Sequence, residues 1–150
     1  MAGFRPRFPQ VQDALGQAIA DALALLPDKV GCSVGYPRGG AAERQVWVDG
    51  EVNARHPFHT SGGAVRGEEG RIPVRILVTL TAEDMSEPRD VAVTLAGVVE
   101  DVLEDDRTLG ALVESAFVIA TSATEAILDE TTRQYDLTLT VEYKTELALT

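Results

Sequence analysis

The sequence predicts an α+β fold: a two-layer sandwich, mainly antiparallel sheet with two helices packed on one face, in the order αβββαββ. Two observations carry this. The stretches Arg71–Thr81 and Arg133–Leu147 alternate with a period of two. The stretches Gln10–Leu26 and Arg89–Asp105 repeat apolar residues at helical spacing. A period of two with β-branched and aromatic enrichment marks a strand with one dry and one wet face. Antiparallel sheets are the ones that tolerate such a wet face. Both helices are free to cover the dry face, which gives two layers around one core.

In the first long strand Ile72, Val74, Ile76, Val78 and Leu80 share a parity, against Arg71, Pro73, Arg75, Thr79 and Thr81. Leu77 is the one apolar exception. In the last, Tyr135, Leu137, Leu139, Val141, Tyr143 and Leu147 oppose Gln134, Asp136, Thr138, Thr140, Glu142, Lys144 and Glu146. The first helix presents Val11, Leu15, Ala18, Ile19, Ala22 and Leu26 on one stripe, and Pro27-Asp28 ends it. The second presents Val91, Leu95, Val98, Val99, Val102 and Leu103. It runs out in Glu104-Asp105-Asp106, unfavourable against the negative end of the macrodipole. Shorter strands are expected at Val30–Tyr36, Arg44–Val52 and Ala116–Ala126. Thr108–Val113 reads as a short apolar step of one helical turn.

Residues 1–9 form an N-terminal arm and residues 10–150 a single domain with a long loop at about 53–70. The arm sets Phe4, Arg5, Arg7 and Phe8 between prolines. The loop holds His56, Phe58, His59 and Arg66 among glycines, with its tip near Thr60–Ala64. Loops of this length are uncommon in compact domains and are usually functional or disordered. Trp47, the one tryptophan, falls on the polar side of its strand. Two readings stay open for it: an interface anchor, for which Trp is favoured, or a ring packed under a neighbouring loop of its own chain.

The composition narrows the function. A formal charge of −11 argues against a protein that grips nucleic acid by neutralising phosphates, and against an anionic membrane surface. No apolar stretch is long enough to span a bilayer, and the start lacks the pattern of a secretory signal. The single cysteine, Cys32, rules out an internal disulfide framework and fits a reducing compartment. On a buried strand face it behaves as a small hydrophobe.

Catalytic patterns are poor. His56 and His59 lack a third ligand and a fixed backbone. Gly35–Gly40 has the glycines of a phosphate loop without the lysine or the following helix. The acids Glu100–Asp106 lack the spacing of a calcium loop. The expectation is therefore no enzyme, no cofactor and no metal. What remains is surface: the arm, the long loop, Trp47 and two long wet-faced strands describe a chain that meets partners or copies of itself. Closed rings are a common outcome for small acidic domains with heterologous contacts.

The order of elements resembles the tail terminator, or tail completion, proteins of long-tailed bacteriophages and gene transfer agents. The matching features are the helix Val11–Leu26, the strand from Arg66 through Glu69-Gly70-Arg71-Ile72-Pro73-Val74-Arg75-Ile76, and the helix Val91–Leu103. They continue with the step Asp106-Arg107-Thr108-Leu109-Gly110-Ala111-Leu112-Val113 and the closing strand Tyr135–Leu147. The acidic-x-Thr-Leu-Gly step after the second helix is the most telling of them. The resemblance implies a virion protein at the head-proximal end of the tail, assembled in the host cytoplasm. It implies a homo-hexameric ring that caps the tail tube, ends polymerisation of the tube protein and offers a joining surface to the head-side connector or stopper. DNA crosses the lumen without specific binding. It carries over no catalytic residue. The candidate contact residues are Phe4, Arg5, Arg7, Phe8, Trp47, His56, Phe58, His59 and Arg66. Another head–tail connector, a stopper or adaptor, is the nearest alternative. A small-ligand-binding α+β module would need converging polar groups in a concave site, and an acidic regulator of a basic partner would be a monomer or dimer.

Overall fold

The computed structural model describes residues 5–57 and 65–148. Helix α1 (Phe8–Leu23) is followed by strands β1 (Gly31–Val34), β2 (Arg44–Val48), β3 (Asn53–Arg55) and β4 (Val65–Thr81). Helix α2 (Ser86–Asp105) then leads to β5 (Ser115–Ile127) and β6 (Thr132–Ala148). The fold is α+β, with the helix–strands–helix–strands order that the alternation predicts. It gains one short strand, β3, within the expected loop.

The six strands form one sheet in the order β1-β2-β4-β6-β5, with β3 pairing β4 off this path. The two long strands that alternate most clearly are the central pair. β4 and β6 run antiparallel in continuous register from Val65↔Ala148 to Thr81↔Thr132. All other pairings are antiparallel except β1 with β2.

Alternation sends one parity of each central strand under the helices. Ile72, Val74, Ile76 and Val78 of β4 and Val141 and Tyr143 of β6 are fully buried. They meet Val11, Leu15 and Ile19 of α1 and Ala92, Leu95 and Val99 of α2 in one core. The close approach of α1 to the sheet rests on Gly16. A Cβ there would stand 2.6 Å from Cγ2 of Val34. The alanines Ala18 and Ala22 of the predicted stripe are only half-buried.

Several boundaries differ from the sequence expectation. α1 begins at Phe8 rather than Gln10, with Pro9 in the first turn where its missing N–H costs nothing. Phe8 is therefore a helix residue packed against the core rather than part of an arm. β4 starts six residues before Arg71, so the expected loop of 53–70 contracts to a hairpin connection between β3 and β4. Its predicted tip, Thr60–Ala64, lies outside the described residues.

The step after α2 is not a helical turn. Leu109, Gly110 and Ala111 all have positive φ, at 49°, 70° and 66°. For non-glycine residues this conformation is costly and needs local support.

Candidate assembly surfaces

That support comes from Asp106. Its Oδ1 accepts from the Thr108 amide at 3.1 Å and hydroxyl at 2.7 Å, and its Oδ2 accepts from the Gly110 amide at 2.7 Å. The Thr108 hydroxyl in turn accepts from the Ala111 amide at 3.1 Å. These bonds, the Thr108 hydroxyl first, hold the Asp106 carboxyl below the usual aspartate range. The side chain of Leu109 is thereby turned into the core. The acidic-x-Thr-Leu-Gly step is a folding device: acid and threonine fix a left-handed turn, leucine anchors it and glycine relaxes it.

A second polar cluster ties down the start of the chain. Glu68 of β4 is fully buried, on the same parity as Ile72 and Val74. Its Oε2 accepts from the backbone N–H of Arg7 at 2.7 Å, and its Oε1 from the Tyr143 hydroxyl at 3.2 Å. The Arg7 guanidinium donates to the Leu112 carbonyl at 3.0 Å. Burial first, then the neighbouring Glu68 carboxylate, pushes the Tyr143 phenol well above its ordinary range. The Tyr143 ring lies over Gly70, its register partner on β4. Arg7 thus joins the entrance of α1 to β4 and to the turn after α2.

On the sheet face away from the helices, Trp47 follows the predicted parity, since its register partner is Arg75 and both its neighbours, Val46 and Val48, are buried in the core. The ring is nevertheless only 7% exposed. Tyr36, just after β1, stands edge-on to it with ring centroids 5.3 Å apart. Of the two readings left open by the sequence, the intramolecular cover is present. Arg75 Nε is buried on this face without a hydrogen-bond partner.

Further along the same face, Arg55 pairs with Glu69 at 2.6 Å and Arg71 with Glu142 at 3.2 Å. They line an open cleft of about 320 Å³ together with Asn53, Ala54 and Gly70. Both arginines are largely exposed, so each pair contributes little to stability.

The predicted contact residues do not form one site. Arg5 is exposed at the chain start, and Arg7 and Phe8 face their own domain. His56 is half-buried with Nδ1 unpartnered, and Arg66 is exposed in β4 opposite Leu147. Phe4, Phe58 and His59 lie outside the described residues. Among the described residues, no cluster of three or more His, Cys, Asp or Glu side chains could hold a metal, and no helix is long and apolar enough to cross a membrane. The residue that sequence reasoning missed is Glu68. Counting back by twos from Ile72 through Gly70 reaches it, but neither Gly70 nor Glu68 carries an apolar side chain of the kind that marks a buried parity, so the alternation alone does not show it as buried.

Two helices over one face of a six-stranded open sheet define the class of fold. No family model matches the chain, and no curated protein matches it by sequence. Among solved structures it is similar to a chain from the virion of the native gene transfer agent particle. The likeness has a TM-score of 0.55 at 16% identity, over 89% of this chain and 94% of that one. What the two share is the fold.

Proposed function

We propose that the chain is a structural virion protein of the tail-terminator kind, without catalytic activity. In this reading it forms a hexameric ring on the head-proximal end of a tail tube. The ring ends polymerisation of the tube protein and presents a joining surface to the head-side connector. The observation that carries the reading is the fold likeness to a gene transfer agent virion chain across nearly the whole of both chains. The element order supports it, as does the anchored turn Asp106–Val113 that follows α2. The formal charge of −11 suits a ring through which DNA moves. Like charge in a lumen repels phosphate and lets the genome pass without stalling.

The test is removal of the gene from a particle-producing strain, followed by electron microscopy. The expected result is tails of uncontrolled length, unjoined to heads. Tails of normal, uniform length that fail only to join heads would overturn the terminator role and assign the chain to a stopper or adaptor.

A further inference from the structure

We infer that the free edge of β5 is a subunit-docking edge, and that it receives the β1 end of a second copy of this chain. The sheet then continues from one subunit into the next. This rests on the self-association in the reading above and adds which surfaces meet.

The first observation is an unprotected edge. Among the described residues β5 closes one end of the sheet and pairs only with β6. An edge strand offers a row of free N–H and C=O groups, which proteins normally blunt with lysine, proline or very short length. β5 is 13 residues long, contains no proline, lysine or arginine, and carries one charge, Glu125. Its one irregularity, between Val118 and Ala120, leaves the ladder regular from Ala120 to Ile127. Every residue from Ile119 to Glu125 is exposed.

The second observation is where exposed apolar side chains sit. Ile119, Ile127 and Leu128 lie on β5 or just after it, with Ile127 71% exposed. Val34 and Tyr36 lie at the end of β1, with Tyr36 66% exposed. β1 and β5 are the two ends of the strand order, so these apolar groups lie at opposite ends of the sheet. Among the described residues the other exposed large apolar side chains are Leu25, just after α1, and Val93 of α2. Two different surfaces on opposite sides are what a head-to-tail contact requires.

The third observation is charge. Residues 97–131, which carry the end of α2, β5 and the following turn, hold nine carboxylates and one arginine, a formal −8. Residues 28–56, which carry β1, β2 and β3, hold four cations and four carboxylates. Pairing β5 with the β5 of another copy would bring two strongly acidic ends together. Pairing it with the balanced β1 end avoids that repulsion, and main-chain bonding along the edge supplies the attachment.

The experiment is disulfide trapping in a Cys32→Ala background. Val34→Cys is combined in turn with Thr121→Cys, Ala123→Cys or Glu125→Cys. All four positions share the helix-side parity of the sheet, and the two ends are too far apart in the strand order to join within one chain. Oxidation is expected to give a ladder of covalent oligomers for at least one pair, and only when both cysteines are present. Cross-linked dimers from a β5 cysteine alone would overturn the head-to-tail arrangement. Absence of the ladder for all three pairs, in proteins whose mass shows them to be multimeric, would overturn the β5 edge and leave the ring reading intact. A wild type that stays monomeric both alone and with purified tail tubes would remove both. As a second variant, Ala123→Glu adds charge to an already exposed position, so its far-ultraviolet circular dichroism should match wild type while its mass falls to that of one chain. Wild-type mass in that variant would count against the edge.

Discussion

Gly70→Ala is expected to lower folding stability by about 3 kcal/mol, the upper part of the range for overpacking a closed core. A Cβ at Gly70 would fall on the Tyr143 ring, on Cε1, Cζ and the hydroxyl oxygen. Tyr143 is fully buried and its hydroxyl is committed to Glu68. The ring cannot swing away without breaking that bond, and β4 cannot retreat because it is paired on both sides at this point, by Ala54 and by Tyr143. For a chain of this size each kcal/mol moves the melting temperature by about 2–4 °C, so the loss should be plain in a thermal scan. Urea titration of the double-mutant cycle isolates the cause. In a Tyr143→Ala background, the same glycine substitution should cost less than about 0.5 kcal/mol, because the clash has gone. An equal cost in both backgrounds would show that the ring is not what constrains Gly70.

Glu68→Ala is expected to destabilise by a similar amount, about 3 kcal/mol. It removes an acceptor that holds two donors, and hydrogen bonds to a charged group contribute about 1.5–3 kcal/mol each. It also leaves the Tyr143 hydroxyl buried without a partner, a further cost. A local effect should accompany the global one. The backbone N–H of Arg7 loses its acceptor, so tryptic cleavage after Arg7 should accelerate. Glu68→Gln keeps an acceptor for Arg7 and should cost distinctly less than the alanine variant. Equal loss in both, with cleavage after Arg7 unchanged, would separate Glu68 from the anchoring of the chain start.

These two residues also mark where the sequence was opaque. The central pair of strands and both helices were legible because their apolar residues recur with the right period over many positions. The start of β4 was not, because its buried parity is filled by Glu68 and Gly70 rather than by Val or Ile. A carboxylate and a glycine both read as loop, yet one is the hydrogen-bond partner of a buried tyrosine and the other the space beneath its ring. Both need Tyr143, 73 and 75 residues further on, to make sense, and no local pattern contains it. The turn at Leu109–Ala111 was hidden for a related reason. Apolar residues rarely take positive φ, and what makes it tolerable is Asp106, a residue that composition assigns to an acidic helix end.

The surfaces were harder to read than the core. Trp47 stood on the predicted side of its strand, but Tyr36 covers it, and a contact between separate elements leaves no mark in the period of either. Arg7 and Phe8 looked like a loose arm because prolines flank them, while the partners of Arg7, Glu68 and Leu112, are distant in the chain, and Phe8 packs on the core. β5 gave the opposite impression. Its weak alternation, built from Thr, Ser and Ala, reflects a strand at the end of the sheet that is exposed from Ile119 to Glu125 and has little to bury within its own subunit. Such a strand is marginal when judged alone and suited to pairing when judged at a free edge.

The central claim is that the chain closes on copies of itself into a ring. It is tested most directly by the mass of the purified protein, from light scattering after gel filtration, alone and with purified tail tubes. The prediction is a discrete species of six times the 16.1 kDa chain mass, held over a wide range of protein concentration. A species that remains a single chain at every concentration, with and without tubes, would contradict it.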